Sequence, residues 1–134
     1  MTPENEKKLY KKYPKLFSER NKSRRETAFY GIACGDGWFW LIDQLCSSIQ
    51  SYIDNSPRDQ TVVAQLKEKF GGLRFYVNYS DTNISGMIWL AEEMSYNICE
   101  VCGSTKDVSS TTGWVKVRCK TCMDKEEKLK NGNW

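Results

Sequence analysis

The sequence predicts an α+β fold, in which helices pack on a small antiparallel β-hairpin or sheet and a C-terminal module is organised around four cysteines. Three observations carry this prediction. An apolar stripe at helical spacing runs from Trp38 to Ile53. Two segments of alternating character are joined by Gly71 and Gly72. Two C-x2-C pairs lie near the end of the 134-residue chain, whose length suits one domain of ordinary size.

The first quarter of the chain predicts a basic helix, a loop and a short extended segment. Thr2 can cap the helix, and Pro3 suits its first position. Pro14 is expected to end or kink it. Residues 18–27 are polar and basic, which is typical of a linker or an exposed loop, and residues 28–34 read as extended. The apolar positions at helical spacing are Leu9, Tyr10, Tyr13, Leu16 and Phe17.

The clearest amphipathic helix follows a glycine-rich turn at residues 34–37. Asp36 is predicted to cap this helix, and residues 55–57 are predicted to end it. Cys46 falls on its apolar face and is interpreted as a small core residue. Cys34 lies beside the turn and is a candidate reactive thiol, although the chain has no His to help form the thiolate. The apolar face is Trp38, Leu41, Ile42, Leu45, Cys46, Ile49, Tyr52 and Ile53.

A hairpin and another helix are predicted next. Residues 61–70 and 73–79 alternate like strands, and the two glycines between them allow the positive φ angles of a tight turn. Residues 80–83 form a turn rich in capping side chains. We expect one face of the hairpin to lie in water, namely Lys67, Lys69, Arg74 and Tyr76. The core-facing positions of the helix are Ile84, Met87, Ile88, Ala91, Met94, Ser95 and Ile98.

Charge and composition bear on function. Residues 1–25 carry a net charge of +6 and the remainder −3, which is compatible with a solvated basic helix or with an arm that binds nucleic acid. The chain contains no His, the commonest general base and the commonest ligand of catalytic zinc. We therefore expect no enzyme activity. The acidic residues considered for a magnesium site, which show no suitable spacing, are Asp36, Asp43, Glu68, Asp81, Glu92 and Glu93.

The expected compartment is the bacterial cytoplasm, with no membrane partner. The sequence has no apolar stretch long enough to span a bilayer, and its charged N-terminus lacks the apolar core of a signal peptide. Thiols stay reduced in the cytosol. Six cysteines in that compartment favour metal binding over disulfides.

The cysteine spacing predicts one structural zinc ion per chain. Cys99 and Cys102 form one C-x2-C pair, and sixteen residues separate it from the second pair, Cys119 and Cys122. Such spacing matches a tetrahedral four-thiolate site, whose closed shell leaves no position for a catalytic water. Four thiolates and one Zn²⁺ would change the net charge from +3 to +1. That value is too near neutral for strong nonspecific DNA binding by the whole molecule.

The segment around the cysteines predicts a treble-clef or zinc-ribbon module. Gly103 suits the tight turn of the first pair, residues 114–118 alternate like a strand, and residues 123–130 read as a helix. We accordingly divide the chain into an α+β body, residues 1–98, and a zinc module, residues 99–134, packed on it as one unit. Three basic side chains are expected either to offset the charge of the thiolates or to contact phosphate: Lys116, Arg118 and Lys120.

Three strings carry a resemblance to known proteins: CGDGWFWLIDQLCSSI, LKEKFGGLRFYVNYSD, and AEEMSYNICEVCG followed by a Trp and a second C-x2-C pair. Over residues 30–122 the chain resembles small zinc-binding proteins encoded by phages and prophages. The phage repertoire includes zinc-containing anti-CRISPR proteins that inhibit type II effector nucleases. The resemblance implies a type II-A anti-CRISPR that binds the host nuclease stoichiometrically and blocks target DNA binding or cleavage. A phage accessory zinc-finger protein that binds nucleic acid is the alternative.

Overall fold

The computed structural model describes residues 1–132, and in this range the chain is a mixed assembly of helices and two small sheets, which confirms the predicted α+β class. None of the helices in that range is long and apolar enough to cross a membrane. The last two positions of the predicted zinc module, 133 and 134, lie outside the described residues. The elements are α1 (Pro3–Lys12), β1 (Ile32–Ala33), α2 (Phe39–Asp54), β2 (Val63–Lys69), β3 (Gly72–Val77), α3 (Thr82–Ser95), β4 (Val108–Ser110), β5 (Val117–Cys119) and α4 (Lys120–Lys130).

The larger sheet has the strand order β1-β2-β3. Strands β2 and β3 form the predicted antiparallel hairpin, in which Leu66 pairs with Phe75. Strand β1 adds to β2 in parallel, with Ile32 opposite Leu66. The sequence indicated an extended segment here but did not predict its parallel partner. Strands β4 and β5 form a separate antiparallel pair beside the cysteines.

Helix α1 begins and ends where the sequence predicts. The Thr2 hydroxyl accepts a hydrogen bond from the backbone N–H of Asn5, and Pro3 takes the first helical position. The helix stops at Lys12, two residues before Pro14. Tyr13 then fastens α1 to α2 by donating its hydroxyl hydrogen to Asp43 Oδ1 over 2.6 Å. The side chains of Leu9, Tyr13, Leu16 and Phe17 are buried, as their spacing predicts.

Asp36 does not cap α2, so that prediction is wrong. A single 3-10 turn, Asp36–Trp38, precedes the helix, and Trp38 takes the cap position without a side-chain hydrogen bond. This turn extends the helical backbone back through Asp36 itself. Its carboxylate lies beside the start of α1, where Oδ1 accepts the backbone N–H of Thr2 at 2.8 Å. The predicted end of α2 is correct, since Asn55 occupies its C-terminal cap.

The hairpin turn lies one residue earlier than predicted. Its two central residues are Phe70 and Gly71, with φ of +54° and +84°, and two positive φ angles are the mark of a type I′ turn. The prediction of a positive φ at one or both glycines is thus confirmed at Gly71. Gly72 is needed for space instead, because a Cβ there would lie 2.3 Å from the hydroxyl oxygen of Tyr96.

Phe70 is an unusual residue for this turn, and its replacement yields a stability prediction. A bulky side chain at positive φ is disfavoured, whereas Asn adopts this conformation readily. The Phe70 side chain is 71% exposed, so few contacts would be lost. We expect Phe70→Asn to raise the free energy of unfolding by about 1 kcal/mol. Denaturant titration should show a higher midpoint at an unchanged slope. Phe70→Ala, which removes the ring but keeps a Cβ, should gain clearly less; equal gains would contradict the conformational explanation.

Helix α3 closes the outer edge of the sheet. Asp81 caps the helix by accepting the N–H of Ile84 at 2.9 Å. Further along, Ser95 Oγ accepts the backbone N–H of Leu73 at 2.9 Å. Glu92 Oε2 accepts the N–H of Phe75 at 3.0 Å. Two outward-pointing N–H groups of β3 are therefore satisfied by side chains of α3. The helix ends at Ser95, so Ile98 belongs to the following turn, although it is buried as predicted.

Candidate metal centre

The four cysteines predicted as metal ligands come together in the structure. Their sulfur atoms all lie within 4.8 Å of one another, and Cys102 Sγ is 3.7 Å from Cys119 Sγ. Three of the side chains are buried, and Cys102 is exposed. Within residues 1–132 no other group of three or more His, Cys, Asp or Glu side chains is gathered closely enough to share a metal ion. The cluster can hold one ion with four sulfur ligands.

Short local hydrogen bonds shape the first cysteine pair. The backbone N–H of Cys99 donates to the carbonyl of Ser104 at 2.8 Å, and the N–H of Gly103 donates back to the carbonyl of Cys99 at 2.9 Å. Gly103 has φ of +81°, a left-handed conformation that glycine adopts without strain. The result is a tight turn that presents both sulfurs of the pair to one side.

The second pair straddles the start of α4. Cys119 ends β5 and caps the helix, with the N–H of Cys122 directed at its sulfur over 3.4 Å. The helix begins at Lys120, three residues earlier than predicted. A helix N-terminus carries partial positive charge, which favours thiolates. The order of a turn, a strand pair and a helix agrees with the predicted module.

The cysteines affect one another's ionisation. Burial raises the pKa of Cys99, but backbone N–H groups directed at its sulfur bring it down to about 7. Burial and the neighbouring sulfurs raise the pKa of Cys122 to about 12. Four sulfurs this close cannot all ionise without a counter-charge. A divalent cation would supply that charge, because it binds cysteine as thiolate and makes deprotonation favourable.

Arg118 has a role that the sequence did not reveal. Its Nε lies 2.8 Å from Glu126 Oε1, and one terminal nitrogen lies 3.2 Å from Glu100 Oε1. The side chain is only 12% exposed. The guanidinium therefore links the first cysteine turn to α4. Its ion-pair partners are the carboxylates of Glu100 and Glu126, and not the thiolates or the phosphate that the sequence suggested. Lys120 pairs with Asp124 on the surface of α4 at 3.1 Å.

A glycine turn of the body fits against the first cysteine pair. The N–H of Gly37 donates to the carbonyl of Glu100 at 2.8 Å, and that of Gly35 donates to Glu100 Oε2 at 2.9 Å. A Cβ at Gly37 would lie 2.1 Å from the carbonyl oxygen of Cys99. Two backbones can approach this closely only where side chains are missing. The sequence predicts the turn but not this contact. The signal for the contact is the Gly-x-Gly spacing of residues 35–37 immediately before the buried Trp38.

The remaining candidate residues serve structural roles. Cys46 is fully buried in the core, as predicted. Cys34 is also buried, and burial raises the pKa of its thiol to about 12, which disfavours the reactive thiolate form. Four of the acidic residues considered for a magnesium site accept backbone N–H groups: Asp36 from Thr2, Glu68 from Gly71, Asp81 from Ile84 and Glu92 from Phe75. Comparisons with protein-family models, with curated proteins and with solved structures gave no match to this chain.

Proposed function

We propose that the protein is a non-catalytic inhibitor that binds a partner protein in the cytoplasm of a bacterial host, and that the partner is a defence nuclease of the type II CRISPR effector class. One structural zinc ion holds its C-terminal module together. The observation that carries the proposal is an apolar groove of about 150 Å³ between α2 and α3, lined by the exposed side chains of Trp40 and Leu90.

Zinc is the metal that suits the four cysteines. A tetrahedral Zn²⁺ with Zn–S bonds of about 2.3 Å places its sulfurs roughly 3.8 Å apart. The 3.7 Å between Cys102 and Cys119 agrees with that geometry. Four thiolate ligands are typical of structural zinc and leave no open coordination position. The ion would thus stabilise the scaffold and take no part in chemistry.

The groove has the composition of a protein-binding surface. Trp40 and Leu90, which line the groove, are 59% and 56% exposed. Met87 and Met94 line the groove, and methionine side chains adapt to varied apolar partners. Exposed apolar patches mark interaction sites, and tryptophan is enriched among the residues that dominate binding energy. We infer that a partner segment with apolar side chains fills the groove.

Charge indicates the kind of partner. The sequences of α2 and α3 include four carboxylates, Asp43, Asp54, Glu92 and Glu93, and no Lys or Arg. None of the four lines the groove, and Asp43 is paired with Lys12 at 3.0 Å, so the lining is uncharged and the negative charge belongs to the helices around it. Effector nucleases hold their nucleic acids in positively charged channels. The net negative charge of the two helices favours a basic protein surface, and together with the phage-like strings it supports a nuclease as partner.

A cleavage titration tests the proposed function. Zinc-loaded protein is added to a type II effector before or after the target plasmid, and complex formation is followed by size-exclusion chromatography. We expect co-elution and inhibition at near-equimolar protein, strongest when the protein is added first. Trp40→Ala should weaken inhibition by at least about thirtyfold, the effect of losing a dominant interface residue.

A matched pair of leucine variants separates the groove from general surface effects. Leu90 and Leu129 are 56% and 57% exposed, but Leu129 lies on α4. Leu90→Ala should weaken inhibition, and Leu129→Ala should leave it unchanged. Full cleavage at a large molar excess, without co-elution with any type II effector, would rule out this function.

A further inference from the structure

The sheet carries a second surface of different chemistry. Its residues lie on β2, on β3, in the turn between them and just before β1. We call it the basic aromatic face: Tyr30, Lys67, Lys69, Phe70, Arg74 and Tyr76. We propose that this face binds single-stranded nucleic acid, independently of the groove between α2 and α3.

Strand register places these side chains together. Gln65 is opposite Tyr76 and Lys67 is opposite Arg74, so all four lie on the same side of the hairpin, while Leu66 and Phe75 face the core. Tyr30 joins them from the segment before β1, because it lines a shallow pocket with Gln65 and Lys67. The predicted solvent exposure of this side of the hairpin is confirmed for Tyr76 and Lys69.

The rings of the face are open to a ligand. Tyr30, Phe70 and Tyr76 are 64%, 71% and 41% exposed. Cations already lie near two of them: the Arg24 guanidinium carbon is 5.4 Å from the centre of the Tyr30 ring, and Lys69 Nζ is 5.5 Å from that of Phe70. Exposed rings with cations beside them are the shared device of proteins that bind single strands, in which bases stack and Lys or Arg contacts phosphates.

Backbone strain at Phe70 is an independent indication. Its φ of +54° suits Asn or Gly, yet the position holds a large apolar ring that points into solvent. Such a conformation costs stability and is found where the side chain serves a function. The segment that carries Val115 passes close to this turn, since a Cβ at Gly71 would lie 2.7 Å from Val115 Cγ1.

The charges and dimensions of the face favour a single strand. Two carboxylates near the face could repel phosphates, but both accept hydrogen bonds from backbone N–H groups of the protein. Glu6 accepts from Ile32 at 2.9 Å, and Glu68 accepts from Gly71 at 2.8 Å. From the Tyr76 position to the turn the strands extend roughly 17 Å, room for several nucleotides. In a duplex the base faces are stacked on one another and cannot reach the rings. With a net charge near neutral, phosphate contacts alone would bind weakly.

Fluorescence anisotropy with the zinc-loaded protein tests the inference. The probe is a labelled oligothymidylate of about twelve nucleotides, within the range of site sizes for such surfaces. We expect saturable binding that weakens with salt. The double variant Tyr30→Ala/Tyr76→Ala should bind at least about tenfold more weakly, whereas Tyr76→Phe, which keeps the ring, should bind like the wild type. Lys67→Gln should reduce the slope of log K against log salt by about 0.7.

Two further variants keep the test decisive. Phe70→Asn is expected to be more stable than the wild type and yet to bind the probe more weakly, so lost binding cannot be attributed to unfolding. Leu90→Ala, in the groove, should bind the probe normally, which separates this inference from the proposed inhibitor function. The inference is overturned if the wild type does not bind at low salt, if it prefers a duplex of equal length, or if the double variant binds equally well. If the wild type does not bind the oligonucleotide and the double variant no longer co-elutes with the nuclease, the basic aromatic face binds protein and the inference is overturned.

Discussion

Replacing Cys99 or Cys119 with Ser is expected to abolish stable metal binding and to unfold the C-terminal module. The binding energy of a structural zinc ion is largely folding energy, on the order of 10 kcal/mol, which is comparable to the total stability of a small domain. Within residues 1–132 the buried cluster at this site consists of Cys99, Cys119 and Cys122, and the partly buried Val108 packs against it. Such a cluster cannot replace the metal as the source of stability.

Native mass spectrometry and circular dichroism measure this effect. The wild type, purified without chelators, should carry one zinc ion per chain and lose it together with part of its structure on treatment with a strong chelator. Cys46→Ala is the matched control, because it alters a buried cysteine outside the module and should retain the zinc. A metal-free wild type, or a Cys119→Ser variant that melts like the wild type, would refute the structural role of the metal.

Replacing Trp38 with Ala is expected to lower the free energy of unfolding by about 3–5 kcal/mol, the usual loss for a large buried aromatic. The side chain is fully buried in the main core. Its indole N–H also donates to the carbonyl of Ile98 at 2.9 Å, one residue before Cys99, the first cysteine of the cluster. The substitution therefore opens a cavity and also leaves a buried carbonyl without its partner. Trp38→Phe, which keeps much of the packing but loses the donor, should cost about 1–3 kcal/mol.

Denaturant unfolding and zinc release report the two parts of this effect. Both Trp38 variants should release zinc to a chelator faster than the wild type, because they lose the hydrogen bond that holds Ile98 in place just before the first cysteine turn. Trp89→Ala removes an exposed tryptophan and should change stability by no more than about 0.5 kcal/mol. Wild-type rates of zinc release from a destabilised Trp38→Ala protein would show that the core and the metal module are not coupled through this bond.

Features that depend on neighbouring residues were predictable from the sequence. The apolar stripe from Trp38 to Ile53 became α2, because helical periodicity is a local property. Thr2 and Pro3 marked the start of α1 for the same reason. The spacing within each C-x2-C pair predicted ligands that do lie together, since such a pair needs only one tight turn.

Contacts between distant parts of the chain were not predictable in the same way. The parallel pairing of β1, the ion pairs of Arg118 and the approach of Gly37 to Cys99 all join segments that are distant or irregular in sequence. Asp36 shows the difficulty most plainly. It has the right chemistry and the right neighbourhood for a helix cap, but its carboxylate serves the N-terminus of a helix that lies 34 residues away. The residue type correctly suggested that Asp36 accepts a backbone N–H at the start of a helix, but only the folded structure shows that the helix is α1.

The closed edge of β3 affects how the protein behaves at high concentration. An exposed strand edge is a template on which a second chain can add its own strand, and repeated addition leads to fibrils. Here Ser95 and Glu92 occupy the N–H groups of Leu73 and Phe75 that such a strand would need. A side chain of α3 would have to leave before another molecule could pair there. The helix thus protects a hairpin rich in aromatic residues from aggregation while leaving the rings on its outer side accessible.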